Sequence, residues 1–129
     1  MAVRDIVIAI DFDGTVVTHE YPHTGESVGA EEVLKELTRN GNKLILYTMR
    51  SGKLLDKAKE WFKQRDIPIW AYNENPEQSR WTSSPKVHAN LYIDDSNLGC
   101  PIKFVDSSPR PVADWVKIRE QLVKEGILD

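Results

Sequence analysis

Three apolar runs in this chain stop on polar side chains that could share one chemistry. IAI at Ile8 to Ile10 gives way to Asp11, Phe12 and Asp13; LILY at Leu44 to Tyr47 gives way to Thr48 and, two residues on, Arg50. LYI at Leu91 to Ile93 gives way to Asp94 and Asp95. Brought to one place, the four carboxylates would carry about −4, more than can stay ionised without a counter-ion. A hard divalent cation answers that charge. Magnesium suits it, because one or two carboxylates, a carbonyl, waters and a substrate phosphate complete its octahedron. Lys86 adds positive charge to the same sum, and protonating one carboxyl group brings it near neutrality. Thr48, Arg50 and the backbone N–H groups near Asp13 to Thr15 are donors suited to phosphate oxygens, with Gly14 letting the chain turn between them. One carboxylate beside a metal and a phosphate could attack phosphorus in line and form an aspartyl phosphate. A second carboxylate, two residues along, could protonate the leaving oxygen and later activate water.

For these residues to meet, the three runs must be strands that end on one edge of a sheet. Ile6 to Ile10 is short, β-branched and apolar, as a strand buried on both faces should be. After a turn-rich flap from Gly14 to Gly29, residues from about Ala30 to Asn40 place Val33, Leu34 and Leu37 at helical spacing, and Asn40-Gly41 is a stop signal. Lys43 to Thr48 reads as a second strand. Ser51 is a candidate cap for a helix whose apolar face holds Leu54, Leu55, Ala58, Trp61 and Phe62. Ile67 to Tyr72 reads as a third strand, with Pro68 suiting its start or an edge. Asn73 to Pro85 is loop-like, Ala89 to Ile93 a fourth strand and Ile102 to Val105 a short fifth. A last helix runs from about Val112 to Glu125 with Trp115, Ile118 and Leu122 on one face. This alternation predicts one α/β domain over residues 1 to 129: a three-layer α/β/α, Rossmann-like arrangement around a mostly parallel sheet. In such sheets ligands gather beyond the carboxyl ends of the strands, where Asp11, Asp13, Thr48, Arg50, Asp94 and Asp95 fall.

With 129 residues, 40% hydrophobic and 29% charged, the chain is long enough for one real core. A formal charge of −3 disfavours nucleic acid held by bulk electrostatics. The single Cys100 has no partner for an internal disulfide, followed by Pro101 it lacks a local base, and a reducing compartment is the natural expectation. MAVRDIVIAIDFDG is too short and too quickly charged for a leader or a membrane span, so the expected location is cytoplasmic with no membrane partner.

The same residues resemble a family. DFDGT at Asp11 to Thr15 looks like the first motif of the haloacid dehalogenase (HAD) superfamily of aspartate-nucleophile phosphohydrolases. LILYT, ending at Thr48, resembles the second motif, Lys86 the third-motif lysine, and LYIDD at Leu91 to Asp95 the acidic fourth, in the family's order. The resemblance implies that Asp11 is nucleophile and metal ligand, and that Asp13 is the acid/base and lends the metal its backbone carbonyl. Thr48 would bond the transferred phosphoryl group, and Lys86 would offset charge there. Asp94 would ligate the metal directly, while Asp95 would do so through water or orient the shell. Lys86 precedes Asp94 by only eight positions, and with the flap THEYPHTGE this compact spacing is similar to small bacterial and phage members.

Neither Gly14 to Gly29 nor Asn73 to Pro85 has room for the cap domain that usually selects substrate in that superfamily. A capless, open site would admit large substrates or be closed by a neighbouring subunit, so self-association is an expectation. His19, Tyr21 and His23 in the flap are either recognition residues or solvated loop. Trp61, Phe62, Trp70 and Trp115 read as core or edge packing, and Trp81 as packing or a cover for the site. Three other functions stay open: a phosphotransferase or mutase using the same intermediate, a non-catalytic phospho-receiver module, and an inactive scaffold. A receiver places its acidic pair after the first strand and its lone acceptor aspartate after the third, an order unlike this one.

Overall fold

The structure, a computed structural model, describes residues 5–129; Met1 to Arg4, the start of the segment read as lacking a leader, lie outside the described residues. Four parallel strands form the central sheet in the order β3-β2-β1-β4. They are β1 (Val7–Ile10), β2 (Lys43–Leu46), β3 (Ala71–Tyr72) and β4 (Leu91–Ile93). Three helices accompany them: α1 (Glu31–Arg39), α2 (Gly52–Gln64) and α3 (Trp115–Lys124). The mostly parallel, Rossmann-like α/β architecture expected from the alternation is therefore the one observed. From β1 the chain steps outward to β2 and β3, then returns to the far side of β1 as β4. That reversal puts the topological switch point between β1 and β4, where α/β sheets open a crevice at their carboxyl ends.

Strand alternation decides which face carries the core. Ile8 and Ile10 of β1 and Leu44 and Leu46 of β2 join Val33, Leu34 and Leu37 of α1, Ala58, Trp61 and Phe62 of α2, and Ile118 and Leu122 of α3 in one buried cluster. The opposite face holds a smaller group, Ile45, Ala71 and Val87, flanked by Val7 and Trp70. Its cover is the segment between β3 and β4, which contains a single 3-10 turn (Gln78–Arg80) in place of a helix. The second outer layer is correspondingly thin. No helix among the described residues is long and apolar enough to cross a membrane.

Several boundaries differ from the expected ones, each for a local reason. The third strand joins the ladder only at Ala71–Tyr72, although Trp70 N already donates to Leu44 O at 2.8 Å. Pro68 has no N–H to offer earlier. α1 stops where Asn40-Gly41 predicts, with Gly41 at φ 93° and Asn42 N bonded back to Leu37 O. Ser51 occupies the cap position of α2 in extended conformation but makes no side-chain cap bond. The last helix begins three residues late. Val112–Ala113 instead form β6, antiparallel to β5 (Ile102–Lys103), and Asp114 caps α3 by accepting from Lys117 N at 3.3 Å. This hairpin is tied to the turn after β1, because Ala113 N donates to Gly14 O at 2.9 Å.

Candidate active site

The register of the sheet assembles the acidic cluster. Ile10 pairs with both Leu46 and Ile93, so β1, β2 and β4 end level with one another. Asp11 N then donates to Ile93 O at 3.0 Å, which sets Asp11 beside Asp94, and Tyr47 N donates to Ile10 O at 2.8 Å, which sets Thr48 on the other flank. Oxygens of Asp11, Asp94 and Asp95 lie within 4.8 Å of one another. Burial pushes the Asp11 carboxyl up from 3.8 to about 8, with the neighbouring Asp94 charge as the next cause. Asp94 is also raised, again mainly by burial. An all-oxygen donor set this close, short of compensating charge, fits a hard divalent cation.

A hydroxyl and an imidazole fasten the cluster. Thr15, fully buried, donates its single hydroxyl hydrogen toward Asp11 Oδ2 at 2.9 Å and Asp95 Oδ1 at 3.2 Å, while accepting from Asp95 N at 3.0 Å. His19 reaches from the flap to Asp95 Oδ2 at 3.1 Å. Its other nitrogen, Nδ1, lies 2.9 Å from Arg110 Nη2. A guanidinium can only donate, so Nδ1 accepts and the ring proton sits on Nε2, shared between Asp95 and the Pro111 carbonyl at 3.1 Å. Arg110, His19, Asp95, Thr15 and Asp11 are thus linked in sequence, joining the hairpin loop, the flap and the end of β1.

Gly14 is required twice over. Its φ of +83° is a left-handed conformation, and a Cβ there would stand 2.1 Å from His19 Cε1 and 2.7 Å from Asp95 Oδ2. The glycine lets the imidazole lie against the turn. Phe12, between the two aspartates, points into the core, edge-on to Trp61 at 6.0 Å and tilted against Phe62 at 5.9 Å. Trp115 packs in the core too, and its indole donates to Thr15 O at 2.6 Å, holding the same turn from behind.

Asp13 belongs to a separate environment. Arg50, with 1% of its surface exposed, donates from Nε to Asp13 Oδ2 at 2.8 Å and from Nη2 to Asp13 Oδ1 at 2.7 Å. Two further donors go to His23 O at 2.7 Å and Leu54 O at 3.3 Å. Arg50, read from the sequence as a phosphate donor, here turns its guanidinium to Asp13 and to backbone carbonyls. Lys86 is likewise not gathered into the cluster. It makes no ion pair with Asp11 or Asp94, and its ammonium lies 5.9 Å from the centre of the exposed Tyr92 ring. The positive charge nearest the acidic turn comes from Arg50.

Thr48 stands at the end of β2 with its N–H donated to Asn73 Oδ1 at 2.8 Å and its hydroxyl accepting from Arg50 N at 3.1 Å, which directs the hydroxyl hydrogen elsewhere. Of the flap residues, His19 is turned inward to Asp95. Tyr21 is exposed with its ring 5.4 Å from the Arg50 guanidinium, and His23 contributes its carbonyl. Trp81 is exposed and stacks edge-on against His88 at 5.6 Å. Burial raises the Cys100 thiol, in keeping with an inert cysteine. The residues that spacing alone missed are Thr15, Asn73 and Arg110. Only Thr15, inside the DFDGT stretch, had a signal in the chain.

Comparison with protein-family models and with curated proteins finds no match. Among solved structures, a conserved protein from Bacteroides thetaiotaomicron is similar with 37% identity and a TM-score of 0.76, over 95% of this chain and 93% of that one. Identity at that level along nearly the whole of both chains means that this chain belongs to the same family as the conserved Bacteroides thetaiotaomicron protein.

Proposed function

We propose that the chain is a magnesium-dependent phosphohydrolase, a phosphomonoesterase working through an aspartyl phosphate on Asp11. The observation that carries this reading is the contrast between a carboxylate triad of Asp11, Asp94 and Asp95, with no Lys or Arg ion pair among the described residues, and a separately paired Asp13 two residues from Asp11. Asp11, Asp94 and Asp95 would hold the cation, with the Asp13 backbone carbonyl beside them. Bound there, the cation would supply the positive charge that returns Asp11 to its ionised form and that offsets charge on a phosphate oxygen.

The chain's own residues then account for each remaining step. An Asp11 oxygen attacks phosphorus, forming an oxygen–phosphorus bond as the ester oxygen–phosphorus bond breaks, and Asp13 gives that departing oxygen a proton. Asp13 next takes a proton from water, the water oxygen bonds to phosphorus, and the Asp11–phosphorus bond breaks to release inorganic phosphate. Thr48 bonds a phosphoryl oxygen through its free hydroxyl hydrogen. Thr15 holds Asp11 and Asp95 in their relative positions throughout.

The test is turnover of a broad phosphate-ester panel with Mg²⁺ and with EDTA. Hydrolysis that EDTA abolishes is expected. No turnover across the panel, with stable binding of beryllium fluoride, would move the reading to a phospho-receiver module. Transfer of phosphate to an added alcohol faster than to water would make the protein a phosphotransferase with the same intermediate.

A further inference from the structure

We infer that Arg50 is the positioning residue for the acid/base Asp13, an inference that rests on the phosphohydrolase reading. Three observations carry it. The side chain of Arg50 is fully buried whereas that of Asp13 keeps 19% of its surface exposed, so the clamp is sealed behind the acid while the acid itself faces outward. The two contacts are parallel and short, 2.8 Å from Nε and 2.7 Å from Nη2, and together they fix both the position and the plane of the carboxyl group. Each carboxyl oxygen has two lone pairs and the clamp uses one on each, so a proton can come and go at the remaining ones with the clamp intact.

The guanidinium is itself over-determined. Leu54 O holds it from α2, His23 O from the flap, the Phe12 ring lies 5.0 Å from its carbon on one side and the Tyr21 ring 5.4 Å. Arg50 therefore ties four pieces of chain to one catalytic oxygen pair: the β1 turn, the flap, the end of β2 and the first turn of α2. No lysine can reproduce this, because a single ammonium cannot give two parallel bonds to the carboxylate and two more to carbonyls. General acid assistance is worth most when the leaving oxygen is most basic, and a misplaced acid is felt most there.

The experiment compares wild type, Arg50→Gln and Arg50→Lys with two substrates, an alkyl phosphate and a dinitrophenyl phosphate whose leaving group needs no proton. Arg50→Gln is expected to lower kcat/KM, which reports formation of the phosphoenzyme, by about a hundredfold on the alkyl phosphate and by less than about threefold on the dinitrophenyl phosphate, while kcat falls with both because Asp13 also activates the water. Arg50→Lys should show the same asymmetry, smaller in size, and serves if the glutamine variant does not fold. An equal fall in kcat/KM with both substrates, or an unchanged alkyl kcat/KM, would overturn the inference and leave the phosphohydrolase reading standing. Absence of wild-type turnover on either ester would instead overturn that reading, and the role of Arg50 with it.

Discussion

Asp11 and Asp13 stand two positions apart on one turn and live in opposite electrostatic surroundings. Asp11 is half-buried beside Asp94 and Asp95, accepts a hydrogen bond from Thr15 and has no Lys or Arg ion pair among the described residues, and its carboxyl is raised to about 8. Asp13 faces a guanidinium that meets both its oxygens. Alternation sends Phe12 into the core and leaves its two neighbours on the other side, where different partners meet them: the Thr15 hydroxyl for Asp11 and the Arg50 guanidinium for Asp13. One aspartate is left short of positive charge and the other is supplied with it by the protein. Two carboxylates in contrasting environments are what a reaction with a nucleophile and an acid/base requires.

Breaking the comparison at Asp11 should have the largest effect. Asp11→Asn is expected to lower kcat by on the order of 10⁴-fold or more, read in the EDTA-sensitive assay with the best ester of the panel. Next comes the other half of the pair. Asp13→Asn removes one partner of a contact whose guanidinium is fully buried, so urea unfolding should show a loss of about 3 kcal/mol, where Asp11→Asn in metal-free protein should show none. Equal losses in the two variants would erase the proposed contrast.

The pH dependence sharpens the same point. A carboxyl raised in the folded state from 3.8 binds a proton that the unfolded chain releases, so Asp11 supports folding fully below pH 3.8. That support declines as pH rises and is lost by about pH 8. Thermal unfolding of the metal-free protein should accordingly show a downward contribution across that window that Mg²⁺ offsets at its upper end and that Asp11→Asn removes. The smallest effect belongs to the imidazole behind the cluster. His19→Ala is expected to weaken Mg²⁺ binding by about tenfold to a hundredfold, measured by calorimetric titration, without unfolding the chain.

How much of this could be read beforehand follows from sequence distance. The strand ends were legible because an apolar run terminating in acid is a local pattern, and parallel pairing then set Asp11 beside Asp94. Helix α1 was legible from Val33, Leu34 and Leu37 and the Asn40-Gly41 stop. The contacts that give each carboxylate its character were not. Arg50 meets Asp13 across 37 positions, and Arg110 meets His19 across 91. Both pairs involve loops with no periodicity to fix their direction. Lys86 illustrates the reverse case: its place in the order of motifs suggested the cluster, but its ammonium lies over the Tyr92 ring, 5.9 Å from the centre. The late start of α3 belongs here too, since Val112 and Ala113 are apolar at helical spacing and become a strand only because Ile102–Lys103 offers a ladder.

The most direct test of the central claim is acid-quench labelling of Asp13→Asn protein with a ³²P-labelled phosphate ester carrying a good leaving group. The expected result is a hydroxylamine-labile label on Asp11 that forms with Mg²⁺, persists longer than in wild type and is absent after Asp11→Asn. Turnover by the wild type with no label trapped on Asp11, or a label that survives Asp11→Asn, would contradict the account.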